Sequence, residues 1–240
     1  MAKIEKIREK EGAAVPTPKS EGSKSEGGAS GVVETGDFVS LEFTGKTGGN
    51  PFESSGAKPV LIAAGKAQVV RGLDEALVGA RVGEKRSIAI PKEKAFGDRN
   101  PELVRLVPLQ KFKEQGISPA PGLVIDIDGA RARVQSVGGG RVRVDFNHDL
   151  AGIDVEYDFE VKRVFRSPKD KLDALTDDLL AQFEAKTVLD AAGVARVSVP
   201  AKARKDSEFI MRKLRFISNV LQFAAPEVKK VVFEEEYALQ

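Results

Sequence analysis

Residues 69–91, VVRGLDEALVGARVGEKRSIAIP, decide the fold, because a short helical pattern passes here directly into a strand pattern. GLDEALVG predicts a short helix that ends at Gly79, since glycine readily adopts the left-handed conformation that closes a helix. VGE predicts a tight turn. Ile88 and Ile90 then alternate with smaller residues, which is typical of a half-buried strand.

Two further segments show the same alternation of apolar and polar residues. The apolar positions that share a face are Val39, Leu41 and Phe43 in FVSLEF, and Tyr157, Phe159 and Val161 in VEYDFEVKRV. Together with residues 69–91 these segments predict an antiparallel sheet that carries one short helix. The fold class expected for this part of the chain is therefore α+β.

Residues 122–146, GLVIDIDGARARVQSVGGGRVRVDF, lie between those strands and predict a small all-β unit. A turn at Asp128-Gly129 and the glycine-rich turn at 138–140 separate three strands. VPLQKF predicts a turn of helix after Pro108.

The C-terminal residues, 167–240, predict an αβαβ unit. Ser167, Pro168 and Asp170 form a helix start. VARVSVP and VKKVVFEEEY predict strands. The apolar residues at helical spacing are Leu172, Leu175, Leu179 and Phe183 in the first helix, and Ile210, Leu214, Ile217 and Leu221 in the second.

Composition excludes several classes of function. The chain of 240 residues has 38 basic and 36 acidic residues, so no global field directs it to nucleic acid or to an anionic membrane. It has no cysteine, which fits a reducing compartment, and we expect a cytoplasmic protein. No apolar secretion signal or membrane span is recognisable, and Gly-, Ser- and Pro-rich residues 1–31 predict a disordered arm.

The sole histidine, His148 in FNHDLAG, raises the question of a catalytic base or a metal ligand. One histidine cannot build a multi-histidine metal cage, and the chain contains no phosphate-binding loop, HExxH motif or serine elbow. GGG at 138–140 precedes a strand, which indicates a hairpin turn and not a dinucleotide loop.

LEFTGKTGGNPFESS at 41–55, VVRGLDEAL, VGEKRSIAIP and YDFEVKRV resemble the FKBP-type peptidyl-prolyl isomerases, in the same order and with the same gaps. AFGDRNPELVRLVP followed by NHDLAG is similar to the SlyD-like branch, whose flap carries an inserted chaperone domain, in the long archaeal type with a C-terminal extension. The resemblance implies an isomerase domain at 32–98 and 147–166, an insert at 99–146 and an accessory domain at 167–240.

The resemblance also implies the residues of the site. Phe96 departs from the family in lacking the tyrosine hydroxyl that commonly donates a hydrogen bond to the bound peptide. The implied catalytic residues are Phe43, Phe52, Glu53, Val69, Val70, Leu73, Phe96 and Tyr157, and the implied substrate-binding residues are Val60, His148, Leu150 and Ala151.

An apolar site without a base suits isomerisation, because rotation about the peptide bond breaks no covalent bond. No cofactor and no metal are implied. The expected partners are unfolded or partly folded proline-containing chains, held by the insert, and a second copy of the chain bound through residues 167–240. The alternatives are a non-catalytic holdase and, for the extension, an independent monomeric unit.

Arg131, Arg133, Arg141 and Arg143 alternate with apolar residues and predict one basic stripe. Because aromatics are not interleaved and acids balance the domain, a solvated strand face is favoured and specific nucleic-acid binding is the alternative.

Overall fold

A computed structural model describes residues 4–6, 31–201, 203, 206–224 and 227–235. Within these residues the chain forms two compact units. The insert unit comprises residues 4–6 and 92–153, and the host unit comprises residues 31–91 and 154–235. The finer division expected from the sequence, with separate isomerase and accessory domains, remains a prediction.

The described residues form thirteen strands and four α-helices. The strands are β1 (Ile4–Lys6), β2 (Phe38–Thr47), β3 (Asn50–Ser54), β4 (Val60–Ala63), β5 (Lys85–Ile90), β6 (Val104–Pro108), β7 (Val124–Ile127), β8 (Ala130–Gly138), β9 (Arg141–Asp145), β10 (Val155–Phe165), β11 (Lys186–Leu189), β12 (Val194–Val199) and β13 (Lys230–Glu235). The helices are α1 (Arg71–Leu77), α2 (Leu109–Glu114), α3 (Pro168–Leu179) and α4 (Ser207–Asn219).

The host unit contains the predicted antiparallel sheet and its short helix. The strand order is β3-β2-β10-β5, with β4 also paired to β2. Helix α1 precedes β5 and ends before Gly79, whose φ of +86° confirms the predicted helix stop. A Cβ on Gly72 would lie 2.3 Å from Ile90, so glycine at this position allows α1 to approach β5 closely.

Alternation along β2 and β10 orients the core as the sequence predicts. Val39 and Leu41 are fully buried, as are Tyr157, Phe159 and Val161. The neighbouring Phe38 is also buried, although it points to the other face of β2. It joins the C-terminal core and packs edge-on against Phe223, with ring centroids 6.2 Å apart.

The C-terminal part of the host unit begins with the predicted helix. The Ser167 side chain accepts a hydrogen bond from the Asp170 amide, which confirms the predicted helix start. All four apolar residues predicted for the first helix are buried, namely Leu172, Leu175, Leu179 and Phe183. The helix ends at Leu179, however, and Phe183 lies beyond it, in a short 3-10 helix over Ala181–Phe183.

Two expectations for this part are wrong. The order is αββαβ and not αβαβ, because the four-residue strand β11 pairs antiparallel with β12, while β13 pairs with β12 in parallel. Helix α4 also buries a different face from the one expected. It packs through Phe209 and Phe216, whereas Ile210 and Leu214 are more than half exposed, because the larger phenylalanine rings fill the core.

The insert unit is a five-stranded sheet in the order β1-β7-β8-β9-β6. Both predicted turns are two-residue hairpins with positive φ at each central residue, namely Asp128-Gly129 and Gly139-Gly140. The unit is not all-β, however. Helix α2 follows Pro108 as expected, and its Phe112 is completely buried against the sheet.

The predicted disordered arm at 1–31 lies mostly outside the described residues. Residues 4–6 contradict it locally, since β1 pairs antiparallel with β7, with Ile4 opposite Ile127. Strand β1 thereby satisfies the backbone groups on the edge of β7, because an edge strand readily accepts another strand.

Candidate active site

Three aromatic side chains from three strands meet in the host unit. Tyr157 on β10 lies beside Phe43 on β2, with ring centroids 6.0 Å apart. Phe52 on β3 meets the same tyrosine edge-on, at 5.8 Å and an interplanar angle of 86°. Edge-to-face and tilted pairs at such distances are favourable because of the quadrupole of each ring. The structure therefore brings together Phe43, Phe52 and Tyr157, the three host-unit aromatics that the resemblance implies for the site.

Glu53 is tied to this aromatic cluster through Tyr157. The Tyr157 hydroxyl donates a hydrogen bond to Oε1 of Glu53. The tyrosine is buried while Glu53 is exposed, so the carboxylate lies at the rim. Burial, and then the bond to Glu53, raise the pKa of Tyr157 well above its ordinary value. The phenol is therefore neutral throughout the physiological range.

Two residues that the sequence analysis did not single out hold the cluster in place. Gly45 lies opposite Tyr157 in the β2–β10 pair, and a Cβ there would be 2.7 Å from the ring of Phe52. The Ser55 hydroxyl accepts a hydrogen bond from the Phe43 amide at 3.2 Å. Each lies within the quoted motif, Gly45 in EFTG and Ser55 in PFESS. Their roles depend on close approach and hydrogen bonding, which a linear pattern does not display.

The remaining predicted residues of the host unit lie on or before α1 and on β4. Leu73 is buried at 1% exposure, and Val69 and Val70 are partly buried just before the helix. Val60 is partly buried at the start of β4. The Val70 carbonyl accepts hydrogen bonds from the Leu73 and Asp74 amides, which fixes the valine pair at the helix start.

Asp74 was also missed, and it orders the loop that leads to these valines. Its carboxylate accepts a hydrogen bond from the Gly65 amide and another from the Ala67 amide, both at 2.8 Å. Ala67 has a φ of +55°, a left-handed conformation that residues other than glycine adopt rarely. The buried carboxylate thus stabilises a loop conformation that would otherwise be unfavourable.

The other predicted residues belong to the insert unit, and their geometry is described within it. The Phe96 and His148 rings stack almost parallel, with centroids 4.4 Å apart. Nδ1 of His148 accepts a hydrogen bond from the Leu150 amide at 3.2 Å. Leu150 is partly buried and Ala151 is buried. Histidine therefore serves as a flat ring and a local acceptor here.

Asn147 closes the neck of the insert, where the chain leaves and returns. Its side chain accepts from the Asn100 amide at 2.9 Å and donates to the Asn100 carbonyl at 3.0 Å. Arg99 forms an ion pair with Asp145, which is buried. The two hydrogen bonds between Asn147 and Asn100 thus join the two ends of the insert.

A cavity of about 560 Å³ lies on the polar side of the host sheet, but it does not match the predicted pocket. Of the catalytic and substrate-binding residues that the resemblance implies, it is lined by Phe43 alone. Its carboxylates already have cationic partners, since Glu42 and Glu160 both bind Lys162, at 2.8 Å and 3.0 Å. The aromatic cluster therefore remains the candidate active site.

Within the described ranges, no cluster of three or more His, Asp or Glu side chains is arranged to hold a metal ion. The same residues contain no helix that is both long and apolar enough to cross a bilayer.

Comparison with known proteins finds one matching family model and several similar isomerases. Residues 105–150 match the family model described as "FKBP26, IF domain". The FKBP-type 16 kDa peptidyl-prolyl cis-trans isomerase of Escherichia coli is 31% identical over 140 residues, which cover 55% of this chain and 93% of that protein. The short-type peptidyl-prolyl cis-trans isomerase of Methanocaldococcus jannaschii is 26% identical over 148 residues, covering 55% and 94%. The isomerase SlyD of Aeromonas hydrophila is 30% identical over 119 residues, covering 49% and 56%.

The chain belongs to the family of FKBP-type peptidyl-prolyl cis-trans isomerases. Within that family it carries an insert-in-flap domain.

Proposed function

We propose that this enzyme isomerises X-Pro bonds in non-native polypeptide chains, that the aromatic cluster of Phe43, Phe52 and Tyr157 binds the proline, and that the insert holds the client. The observation that carries the proposal is the meeting of three aromatic rings from β2, β3 and β10 beside the rim carboxylate of Glu53. As part of the same proposal we assign Val60, Val69, Val70 and Leu73 to the apolar surroundings of the bound proline.

Prolyl isomerisation requires only that such a site lower the barrier to rotation about the X-Pro bond. Amide resonance sets a barrier of about 18–20 kcal/mol, and uncatalysed X-Pro exchange takes tens to hundreds of seconds. A dry apolar site favours the twisted amide, whose charge separation is smaller than that of the planar amide. A thousandfold acceleration requires about 4 kcal/mol of such differential binding. No proton is transferred, so neither Glu53 nor His148 acts as a base.

We assign Phe96, His148, Leu150 and Ala151 to substrate binding, as part of the proposal. The stacked Phe96 and His148 rings present a flat apolar surface within the insert unit. Phe96 lacks a hydroxyl, so a hydrogen bond from this position to the client carbonyl is not available. Binding at this position then relies on apolar contact alone.

A short X-Pro peptide separates the isomerase from a holdase that binds chains without accelerating them. Protease-coupled isomerisation of a tetrapeptide at micromolar enzyme should be faster than the spontaneous reaction, and Tyr157→Ala should abolish most of the gain. Absence of acceleration by the intact chain would leave only the holdase function.

The role of the insert is tested by comparing catalysis on a tetrapeptide with catalysis on a whole unfolded protein. Replacement of residues 99–146 by a short glycine-serine linker should leave tetrapeptide turnover within about threefold and reduce catalysis of a proline-limited refolding reaction by about 100-fold, because holding the client raises the local proline concentration. Equal losses on both substrates would contradict a holding function.

We further propose a homodimer formed through the C-terminal residues. Exposed apolar residues on and just after α4 support it, because monomers rarely expose contiguous apolar surface. The residues are Ile210, Met211, Leu214 and Leu221, each between 53% and 69% exposed.

A further inference from the structure

One side of the insert sheet carries four arginines, as the alternation in the sequence predicts. Strand pairing sets Arg133 opposite Asp145, and Arg143 opposite Ser136, so the arginines of β8 and β9 point to the same side. We call this side the arginine face; it consists of Arg131, Arg133, Arg141 and Arg143. The apolar residues that alternate with these arginines point to the other side of the sheet and are buried, namely Ala132, Val134, Val142 and Val144.

The acids of the arginine face are concentrated near the neck. Asp149 accepts two parallel hydrogen bonds from Arg133, both at 3.0 Å, and lies 3.8 Å from Arg131. The Arg133 guanidinium therefore lowers the pKa of Asp149 below its ordinary value. By contrast, the guanidinium groups of Arg141 and Arg143 bind no carboxylate among the residues that the structure describes.

The half of the face without acids borders the open edge of the sheet. Arg143 lies opposite Leu106 on β6, and Leu106 is 61% exposed. Within the described part of the chain, β6 pairs with β9 alone and ends the sheet, whereas the edge of β7 is already paired with β1. An unpaired edge strand presents backbone donors and acceptors to another extended chain.

We propose that Arg141, Arg143, Leu106 and the free edge of β6 bind extended client segments that carry acidic side chains next to apolar ones. This inference rests on the proposed client-holding function and specifies the class of client. A segment added beside β6 obtains backbone hydrogen bonds from the edge and apolar contact from Leu106. Its carboxylates meet two exposed guanidinium groups, which favour bidentate binding of carboxylate.

Charge alone would also suit a polynucleotide, but the site lacks a stacking platform. Neither β6 nor β9 contains an aromatic residue, and proteins that bind single strands generally stack bases on aromatic rings. The edge of β6 instead offers the backbone groups that an extended peptide uses.

The test compares three fluorescent peptides that share one apolar core and differ in the flanking residues, which are Glu, Gln or Lys. Anisotropy titrations with the intact chain at low salt should give tightest binding for the Glu peptide, about tenfold tighter than for the Gln peptide, and this difference should shrink at high salt. Arg141→Gln combined with Arg143→Gln should remove the difference and leave binding of the Gln peptide within about twofold.

The matched control is Lys111→Gln combined with Lys113→Gln. It removes the same charge from α2, whose Phe112 packs on the opposite side of the sheet, and it should preserve the preference for the Glu peptide. Both double variants change exposed side chains, so equal thermal unfolding of the two is the check that they fold.

Equal affinity for the Glu and Gln peptides, or a preference that survives loss of both arginines, overturns this inference alone. Failure of all three peptides to bind overturns the client-holding function together with it. A single-stranded oligonucleotide that binds more tightly than the Glu peptide and depends on the same arginines would replace the acidic client by a polynucleotide.

Discussion

At the scale of single residues, the site depends on close contacts between groups that are distant in sequence. Tyr157 contacts Phe43 and Phe52, and its hydroxyl binds Glu53, which precedes it by 104 positions. The aromatic residues are recognisable in their motifs. The glycine and serine that hold them are recognisable only when the strands are placed side by side.

Gly45 provides a direct test of the aromatic cluster. Gly45→Ala places a methyl group where the ring of Phe52 lies, so the ring must move and kcat/KM for a short X-Pro peptide should fall about tenfold. Gly138→Ala is the control, because a Cβ at that position meets nothing within 4 Å. Unchanged kcat/KM in a folded Gly45→Ala protein would separate Phe52 from catalysis.

The pH dependence of the reaction tests the absence of proton transfer. Because the folded-state pKa of Tyr157 is raised, its contribution to stability is complete below the ordinary tyrosine pKa of about 10 and is lost only as the pH rises above it. We therefore expect kcat/KM to be constant between about pH 6 and 9.

Variants of His148 separate ring stacking from proton transfer. His148→Phe retains a ring to stack on Phe96, and His148→Ala removes it. We expect the alanine variant to lose two- to threefold in rate, about the effect of one aromatic contact, with the pH profile unchanged in both. A bell-shaped profile that disappears with His148 would establish acid–base catalysis instead.

At the scale of elements, the short helix α1 and the loop before it form one structure. Asp74 lies on the helix, but its carboxylate binds the amides of Gly65 and Ala67 in the loop. The helix is evident from the pattern of residues 69–91. Its coupling to the preceding loop depends on the hydrogen bonds of a buried carboxylate, which the pattern does not reveal.

Asp74→Ala should destabilise the protein and weaken substrate binding. Two amides lose their acceptor, which costs about 1–3 kcal/mol in the free energy of unfolding by urea. The loop leads to Val69 and Val70, so KM for an X-Pro peptide should rise more than kcat falls. A purely structural role would lower stability and leave KM unchanged.

Glu75→Ala is the matched control on the same helix. Glu75 is exposed and forms a surface ion pair with Arg71 at 2.8 Å. Such a pair contributes about 0.3–0.5 kcal/mol, so both stability and KM should remain close to those of the unmodified chain.

At the scale of the whole molecule, the proposed dimer would cover the exposed apolar residues on α4. The helix buries Phe209 and Phe216 and leaves Ile210 and Leu214 outside. Leu214→Glu should convert a dimer into a single chain when the mass is measured by light scattering, because a charge in an apolar interface is costly to desolvate.

The control for the dimer is Val188→Glu, which adds the same charge at another exposed apolar position of the C-terminal part, on β11. It should leave the mass unchanged. A mass of one chain for the unmodified protein at high micromolar concentration would contradict dimerisation through this surface.

The sequence by itself determined the periodic features of this protein. Alternation placed Val39, Leu41, Tyr157, Phe159 and Val161 in the core, an Asp-Gly and a Gly-Gly pair located the two hairpins of the insert, and the motifs identified the family, because each of these properties depends on residues close together along the chain. Only the tertiary structure decided which face of α4 is buried, that β11 joins the C-terminal sheet, and that Gly45 and Asp74 support the site. Those features depend on competition between side chains and on hydrogen bonds between segments far apart in sequence, and local patterns do not contain that information.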